Sequence, residues 1–210
     1  DADKRAEAFA LVDDLGTHDT HGTFDLVVQK AHLLADLGDA DGALALLSAA
    51  AQSYPHHPTL EYEIATMLER AGRTRESVQA FEALLAERPD DPTVLNALGY
   101  TLADHDEQLP RAEKLIRQAL VVTPDSPAAL DSLGWVRLRR GDSREAASIL
   151  EHAYNVGQDP DIAAHWVEAL WKSGSQAQAR KVLTDALARH PDSATLAATR
   201  LRLVPDSGRR

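Results

Sequence analysis

The stretches NALGY at residues 96–100 and DSLGW at residues 131–135 have the same pattern. Each begins with a polar residue, carries a Leu-Gly pair and ends on a large aromatic residue, and the second copy follows the first after 35 residues. Glycine inside a helix costs about 1 kcal/mol relative to alanine. A glycine that recurs within an apolar helical run therefore predicts a close helix contact that offsets this cost.

The pattern extends to five consecutive blocks of the chain. Their first residues are spaced by 34, 34, 35 and 33 positions: Phe24, Pro58, Pro92, Pro127 and Pro160. The eighth position of every block holds a small or short side chain: Ala31, Ala65, Gly99, Gly134 and Val167. The twentieth position is also small, with one residue inserted in the third block: Ala43, Ser77, Ala112, Ala146 and Ala179. Small residues at both positions predict two closely packed helices in each block. In this arrangement Gly99 faces Ala112, and Gly134 faces Ala146.

Helix-start and helix-end signals recur in the same frame. A capping residue followed by proline opens the last three blocks: Asp91-Pro92, Ser126-Pro127 and Asp159-Pro160. A glycine suited to ending the first helix recurs in four blocks: Gly38, Gly72, Gly141 and Gly174. The third block instead carries DHDEQLPRA at 104–112, which predicts a longer turn with Pro110 starting the second helix. Asp142 and Glu145 have the spacing of a capping box.

This period and its small residues resemble the tetratricopeptide repeat, a unit of about 34 residues that forms two helices. The resemblance covers residues 24–193 and implies an all-α fold, a right-handed α-solenoid of helix-turn-helix repeats with a concave groove. It divides the chain into five units: 24–57, 58–91, 92–126, 127–159 and 160–193. We expect an incomplete repeat, a helix followed by a loop, at residues 1–23. We expect a closing helix and a frayed tail at residues 194–210.

Composition restricts the classes of partner. The 210 residues carry a net charge of −11 at pH 7, whereas nucleic-acid binding needs a basic surface. No apolar run approaches the roughly 18 residues that a membrane span requires. Cysteine is absent, which excludes thiol catalysis and Cys-ligated zinc. We therefore expect a protein or peptide partner, no nucleic acid and no membrane span in this chain.

Patterns of catalytic and metal-binding residues are sparse. His18, His21 and the pair His56-His57 lie in predicted loops, and His165 and Glu168 supply only two ligands one turn apart. The sequence has no phosphate-binding loop, dinucleotide fingerprint or nucleophile elbow. We therefore expect a non-catalytic protein with no metal and no cofactor.

The repeat resemblance implies a partner-binding groove lined by the first helix of each unit. The side chains at its positions that suit an extended peptide or a partner helix are Tyr62, Thr66, Asn96, Tyr100, Asp131, Trp135, Arg139, Glu168 and Trp171. Tyrosine and tryptophan are frequent interface anchors. The alternative is that these rings pack beneath the neighbouring repeat. Trp166 falls at a core position, and Arg137 is expected either to run along the groove edge or to pair with an acidic residue.

Three stretches resemble a narrower group: NALGYTLADHDEQLPRAEKLIRQAL at 96–120, DSLGWVRLRRGDSREAASILEHAY at 131–154 and DIAAHWVEALWKSG at 161–174. They are similar to the C-terminal repeats of proteobacterial tetratricopeptide lipoproteins that act as adaptors of a periplasmic carboxyl-terminal processing protease. The resemblance implies a scaffold that delivers substrates to such a protease from the outer membrane. A structural part of an envelope assembly, in polysaccharide export or pilus biogenesis, is the alternative function. A cytoplasmic location is the alternative to the periplasm, and the oligomeric state stays open.

Overall fold

The computed structural model describes residues 23–203, with side chains from residue 25 onward. This part of the chain is entirely helical, which confirms the all-α fold class. Its helices are α1 (Thr23–Asp36), α2 (Ala40–Ser53), α3 (Pro58–Arg70), α4 (Thr74–Glu87), α5 (Pro92–Asp104), α6 (Leu109–Val122), α7 (Pro127–Arg139), α8 (Ser143–Gly157), α9 (Pro160–Lys172), α10 (Gln176–Arg189) and α11 (Ala194–Leu203). The expected N-terminal helix, His18, His21 and the frayed tail lie outside the described residues.

The chain divides into two compact units, residues 1–89 and residues 90–210. In the first unit, α1 packs on α2, α3 packs on α4, and α2 also contacts α3. One core cluster of this unit consists of apolar residues that recur at helical spacing on α1, α2 and α3: Ala31, Leu34, Ala35, Ala43, Leu44, Leu47, Leu60, Met67 and Leu68. This spacing puts one apolar stripe of each helix against its neighbours.

The second unit contains α5 to α11, and its helices pack both within and between repeats. Within each repeat the first helix packs on the second, as α5 does on α6, α7 on α8, and α9 on α10. Between repeats the first helices lie side by side, so that α5 contacts α7, α7 contacts α9, and α9 contacts α11. The first helices therefore present one shared face, which positions the candidate site.

The predicted helix starts are confirmed in the second unit. The Asp91 carboxylate accepts hydrogen bonds from the backbone N–H groups of Thr93 and Val94, at 3.0 and 3.3 Å. Ser126 and Asp159 cap α7 and α9 in the same way. Each of these caps satisfies N–H groups that the first helical turn leaves without an intrahelical partner.

The turn after the first helix needs a left-handed residue, and the third repeat supplies one without glycine. Gly141 has φ of +92° after α7, and Asp106 takes the equivalent place after α5 with φ of +55°. Aspartate tolerates this region better than most residues because its short side chain can hydrogen-bond locally. The second helix of the third repeat begins at Leu109, one residue before the predicted Pro110.

The capping box expected at Asp142 and Glu145 does not form. Asp142 is the residue before α8, but its side chain makes no capping hydrogen bond. Both carboxylates instead lie 3.4 Å from guanidinium nitrogens of Arg137. A nearby cation therefore draws both side chains away from the helix start, a competition that local spacing does not reveal.

Both glycines of the opening pattern are buried, as expected. A Cβ added at Gly99 would lie 2.6 Å from Ile116 Cγ1 and 3.0 Å from the carbonyl oxygen of Ala112. At Gly134 the nearest atoms all belong to Leu150, the closest at 2.5 Å, and not to the expected Ala146. The partner is one turn further on because a helical side chain covers the turn that precedes its own Cα.

Candidate partner-binding face

Side chains on the first helices of the second unit form what we call the first-helix face. Seven of the residues expected to line the groove lie on it: Asn96, Tyr100, Asp131, Trp135, Arg139, Glu168 and Trp171. The other two, Tyr62 and Thr66, lie on α3 in the first unit. The Tyr62 ring packs edge-on against Phe81, and the Thr66 hydroxyl donates to the Tyr62 carbonyl at 3.1 Å.

The centre of the first-helix face is a stacked indole and imidazole, each hydrogen-bonded to its own carboxylate. The Trp135 ring stacks on the His165 ring with centroids 4.4 Å apart and an angle of 28° between the ring planes, and its Nε1–H donates to Asp104 at 3.2 Å. His165 Nδ1 lies 2.9 and 3.1 Å from the two carboxylate oxygens of Asp131. Trp135 is only 8% exposed. The Trp135 ring therefore packs against the neighbouring repeat and has little surface left for a partner.

Two opposing effects act on the pKa of His165. Burial lowers the pKa of this imidazole, but the hydrogen bond that it donates to Asp131 and the negative charges of Asp131, Glu168 and Asp161 outweigh burial. The pKa is therefore raised above its usual value of about 6.5. In its protonated form the imidazole of His165 ties α9 to α7 through an ion pair with Asp131.

This pair predicts a pH-dependent stability. Because the folded-state pKa is raised, its contribution is fully present below the unfolded pKa and is lost as the pH rises through the folded one. Asp131→Asn should cost about 1–2 kcal/mol near pH 5.5 and clearly less near pH 8.5. Urea unfolding across this range measures the difference. The control is Asp125→Asn, an exposed aspartate 3.9 Å from exposed His152, which should show no such trend. If the stability difference between the wild type and Asp131→Asn does not change with pH, the Asp131–His165 ion pair does not raise the pKa of His165.

Glu168 is occupied by contacts within the chain. Its side chain is 7% exposed, and its two oxygens lie 2.9 Å from Lys172 Nζ and 2.7 Å from an Arg202 guanidinium nitrogen. Burial raises the pKa of this carboxyl, but the two cations outweigh burial and lower it. Glu168 therefore links α11 to α9 through these ion pairs. This arrangement does not support its expected role in binding a partner.

The accessible part of the first-helix face lies around three of the expected residues. Asn96, Tyr100 and Trp171 are each partly exposed, and the side-chain amide oxygen of Asn96 (Oδ1) is buried without a hydrogen-bond partner in the described part of the chain. The Arg180 guanidinium lies 5.2 Å from the Trp171 ring centroid. Arg139 lies 5.5 Å from the Trp135 ring centroid and pairs with Asp106. These side chains offer aromatic area and hydrogen-bonding groups together.

Two residues that build this face were not singled out from the sequence: Asp106 and Arg202. The repeat period contained a usable signal for the contacts between helices. Asp131 and His165 are 34 residues apart, as are Glu168 and Arg202, and Asp36 and Arg70 in the first unit. One period places two residues at equivalent positions of adjacent first helices. Opposite charges at this spacing therefore predict an ion pair between repeats.

Arg137 pairs with an acidic residue, which is the second of the two possibilities expected for it. One guanidinium nitrogen lies 2.7 Å from Glu113 on α6, and the same carboxylate also pairs with Arg117 and Arg140. Burial raises the pKa of Glu113, but the three arginines outweigh burial and lower it. Trp166 is buried beside Tyr154, with ring centroids 5.8 Å apart, in keeping with its expected core position.

Comparison with known proteins identifies the family. Two tetratricopeptide repeat models match the chain, one over residues 34–99 and the other over residues 96–162. The TPR repeat-containing protein PA4667 of Pseudomonas aeruginosa is 32% identical over 159 residues. That alignment covers 76% of this chain but 27% of the Pseudomonas protein, so the chain spans about a quarter of this relative's length. The chain belongs to the tetratricopeptide repeat family.

Solved structures share the fold at lower identity. A thermophilic TPR protein of Thermus thermophilus is 21% identical with a TM-score of 0.76, covering 85% of this chain and 97% of its own. PilW, a type IV pilus biogenesis factor, is 20% identical with a TM-score of 0.67, covering 94% of this chain and 91% of its own. At these identities the likeness concerns the fold alone. Within residues 23–203, no helix has the length and apolar character needed to cross a bilayer.

Proposed function

We propose that the chain is a non-catalytic scaffold that binds a protein or peptide on the first-helix face. The observation that carries this proposal is the combination of Asn96 and Tyr100 on α5 with Trp171 on α9, two first helices that flank α7 and contact it. Tyrosine and tryptophan supply large contact areas at small cost in conformational entropy. The ion pairs between repeats fix the spacing of these side chains before a partner arrives, which lowers the entropic cost of binding.

The finer proposal is that the partner belongs to a proteolytic system. Residues 92–193 resemble repeats of periplasmic lipoproteins that serve a carboxyl-terminal processing protease, and we propose the same role and compartment for this protein. One surface would hold the protease and another its substrate, which raises the substrate concentration near the active site. The net charge of −11 favours basic partners and makes their association sensitive to salt. No contact between described residues favours the alternative role, a structural part of an envelope assembly, over the adaptor role.

Reconstitution tests this proposal. A purified carboxyl-terminal processing protease and its substrate are mixed with and without this chain, and the cleavage rate is measured at low and high salt. We expect faster cleavage with the chain and a smaller acceleration at high salt. Trp171→Ala should weaken the complex about fivefold or more, since truncating an interface tryptophan typically costs over 1 kcal/mol. Tyr54→Ala, an exposed tyrosine of the first unit, is the control. An unchanged cleavage rate without a detectable complex would overturn the adaptor role.

A further inference from the structure

The outward side of α6 differs from the rest of this acidic protein. Ala112, Leu115, Ile116 and Ala119 form the buried stripe of the helix. The opposite stripe follows the same helical period, and with Pro110 it lines a shallow cavity of about 360 Å³: Pro110, Glu113, Lys114, Arg117, Gln118 and Val121. We call this cavity the α6 pocket. All its lining residues lie in the third repeat, away from the first-helix face.

The charge of the α6 pocket is positive although the chain as a whole is acidic. Its one acidic side chain, Glu113, is 12% exposed and already pairs with three arginines. Lys114 is exposed and has no ion pair or hydrogen bond in the described structure. The side chains of Arg117 and Arg140 are 50% and 38% exposed, so part of each cationic side chain remains accessible. The cations around the pocket therefore exceed its anions.

An apolar part adjoins these cations. Val121 is 81% exposed and Val122 is 53% exposed, both at the end of α6. An exposed valine pair beside accessible cations suits a ligand that carries both an aliphatic side chain and carboxylates. Guanidinium groups bind carboxylates with directional, often paired hydrogen bonds. The arrangement combines an apolar anchor with a charged rim, as in many protein-binding surfaces.

We propose that the α6 pocket is a second protein-binding site, for an acidic segment that carries an aliphatic side chain. The aliphatic group packs on Val121 at the end of α6, while the carboxylates pair with Lys114, Arg117 and Arg140. A polyanion such as a nucleic acid fits less well, because the cations are few and the net charge of the chain repels it. This site is independent of the proposed first-helix face, and it gives the scaffold two surfaces of different chemistry.

Fluorescence anisotropy with a labelled twelve-residue peptide tests the site. The probe has Asp and Glu flanking a central Leu-Val pair, and two comparison peptides replace the acids by Lys or the Leu-Val pair by Ser-Ser. The wild type should bind the probe with salt-dependent affinity and both comparison peptides more weakly. Lys114→Glu/Arg117→Glu should weaken binding about tenfold or more. Arg75→Glu/Lys181→Glu, which makes the same charge change outside the pocket, should alter the affinity less than twofold.

A second set of measurements separates this proposal from the proposed function. Trp171→Ala should leave probe binding unchanged, because the first-helix face is not involved. A melting temperature of the reversed variant within a few degrees of wild type shows that it is folded. The proposal is overturned if the probe does not bind, if both double variants bind equally, or if Trp171→Ala abolishes binding. The proposal is also overturned if single-stranded oligouridylate binds more tightly than the probe peptide and Lys114→Glu/Arg117→Glu weakens that binding.

Discussion

Gly134→Leu should lower the free energy of unfolding by about 2–3 kcal/mol, because the new side chain cannot fit between α7 and α8. Already a Cβ at this position would lie 2.5 Å from Leu150 Cγ, a branched carbon that cannot swing aside as a side-chain tip can. The gain in helix propensity, about 1 kcal/mol, offsets only part of the overpacking. Urea denaturation of the variant and the wild type measures the difference.

Two further variants test whether the contact with Leu150 is the cause. Ala128→Leu introduces the same side chain at an exposed position of α7 and should change the stability by less than about 0.5 kcal/mol. In a double-mutant cycle, Gly134→Ala should be less harmful, or stabilising, when Leu150→Ala is present. Additive effects of these two changes would contradict the close contact, and with it the reason for glycine at this position.

Glu113→Gln should cost about 2 kcal/mol, since it removes the one carboxylate that pairs with Arg117, Arg137 and Arg140. Arg137 is only 17% exposed and would keep just the weaker contacts with Asp142 and Glu145. Because the folded-state pKa of Glu113 is lowered, its contribution is present above the unfolded pKa of about 4.3 and is lost as the pH falls through the folded one.

Glu145→Gln provides the matched control for Glu113. Glu145 pairs with the same arginine at 3.4 Å, but its side chain is 52% exposed, so its removal should cost less than about 0.5 kcal/mol. Thermal and urea unfolding at pH 7 compare the two variants. Equal losses of stability in the two variants would show that the burial of Glu113 does not strengthen its ion pairs relative to those of exposed Glu145.

The sequence predicted the backbone better than the side chains. Small residues at the eighth and twentieth positions, caps such as Asp91 and turn glycines such as Gly141 identified the helix pairs, because these features act locally. The environment of Trp135 could not be predicted in this way. Its burial depends on His165 and Asp104, which come from the following and preceding repeats.

The missed capping box has the same origin. The spacing of Asp142 and Glu145 favours a local cap, and only the position of Arg137 on α7 reveals the competing ion pairs. In contrast, the contacts of Glu168 were within reach of sequence reasoning. Arg202 lies one period later in the chain, so charge pairing at the repeat period would have indicated that this carboxylate is occupied.

The most direct test of a partner on the first-helix face is site-specific photo-crosslinking in the reconstituted mixture of protease, substrate and chain. The photoreactive residue p-benzoylphenylalanine replaces Tyr100 on the first-helix face or, as the comparison, exposed Ser148 on α8. We predict that the residue at position 100 crosslinks to the protease or its substrate, and that the residue at position 148 does not. Crosslinks from position 148 alone, or equal crosslinks from both, would contradict binding on the first-helix face.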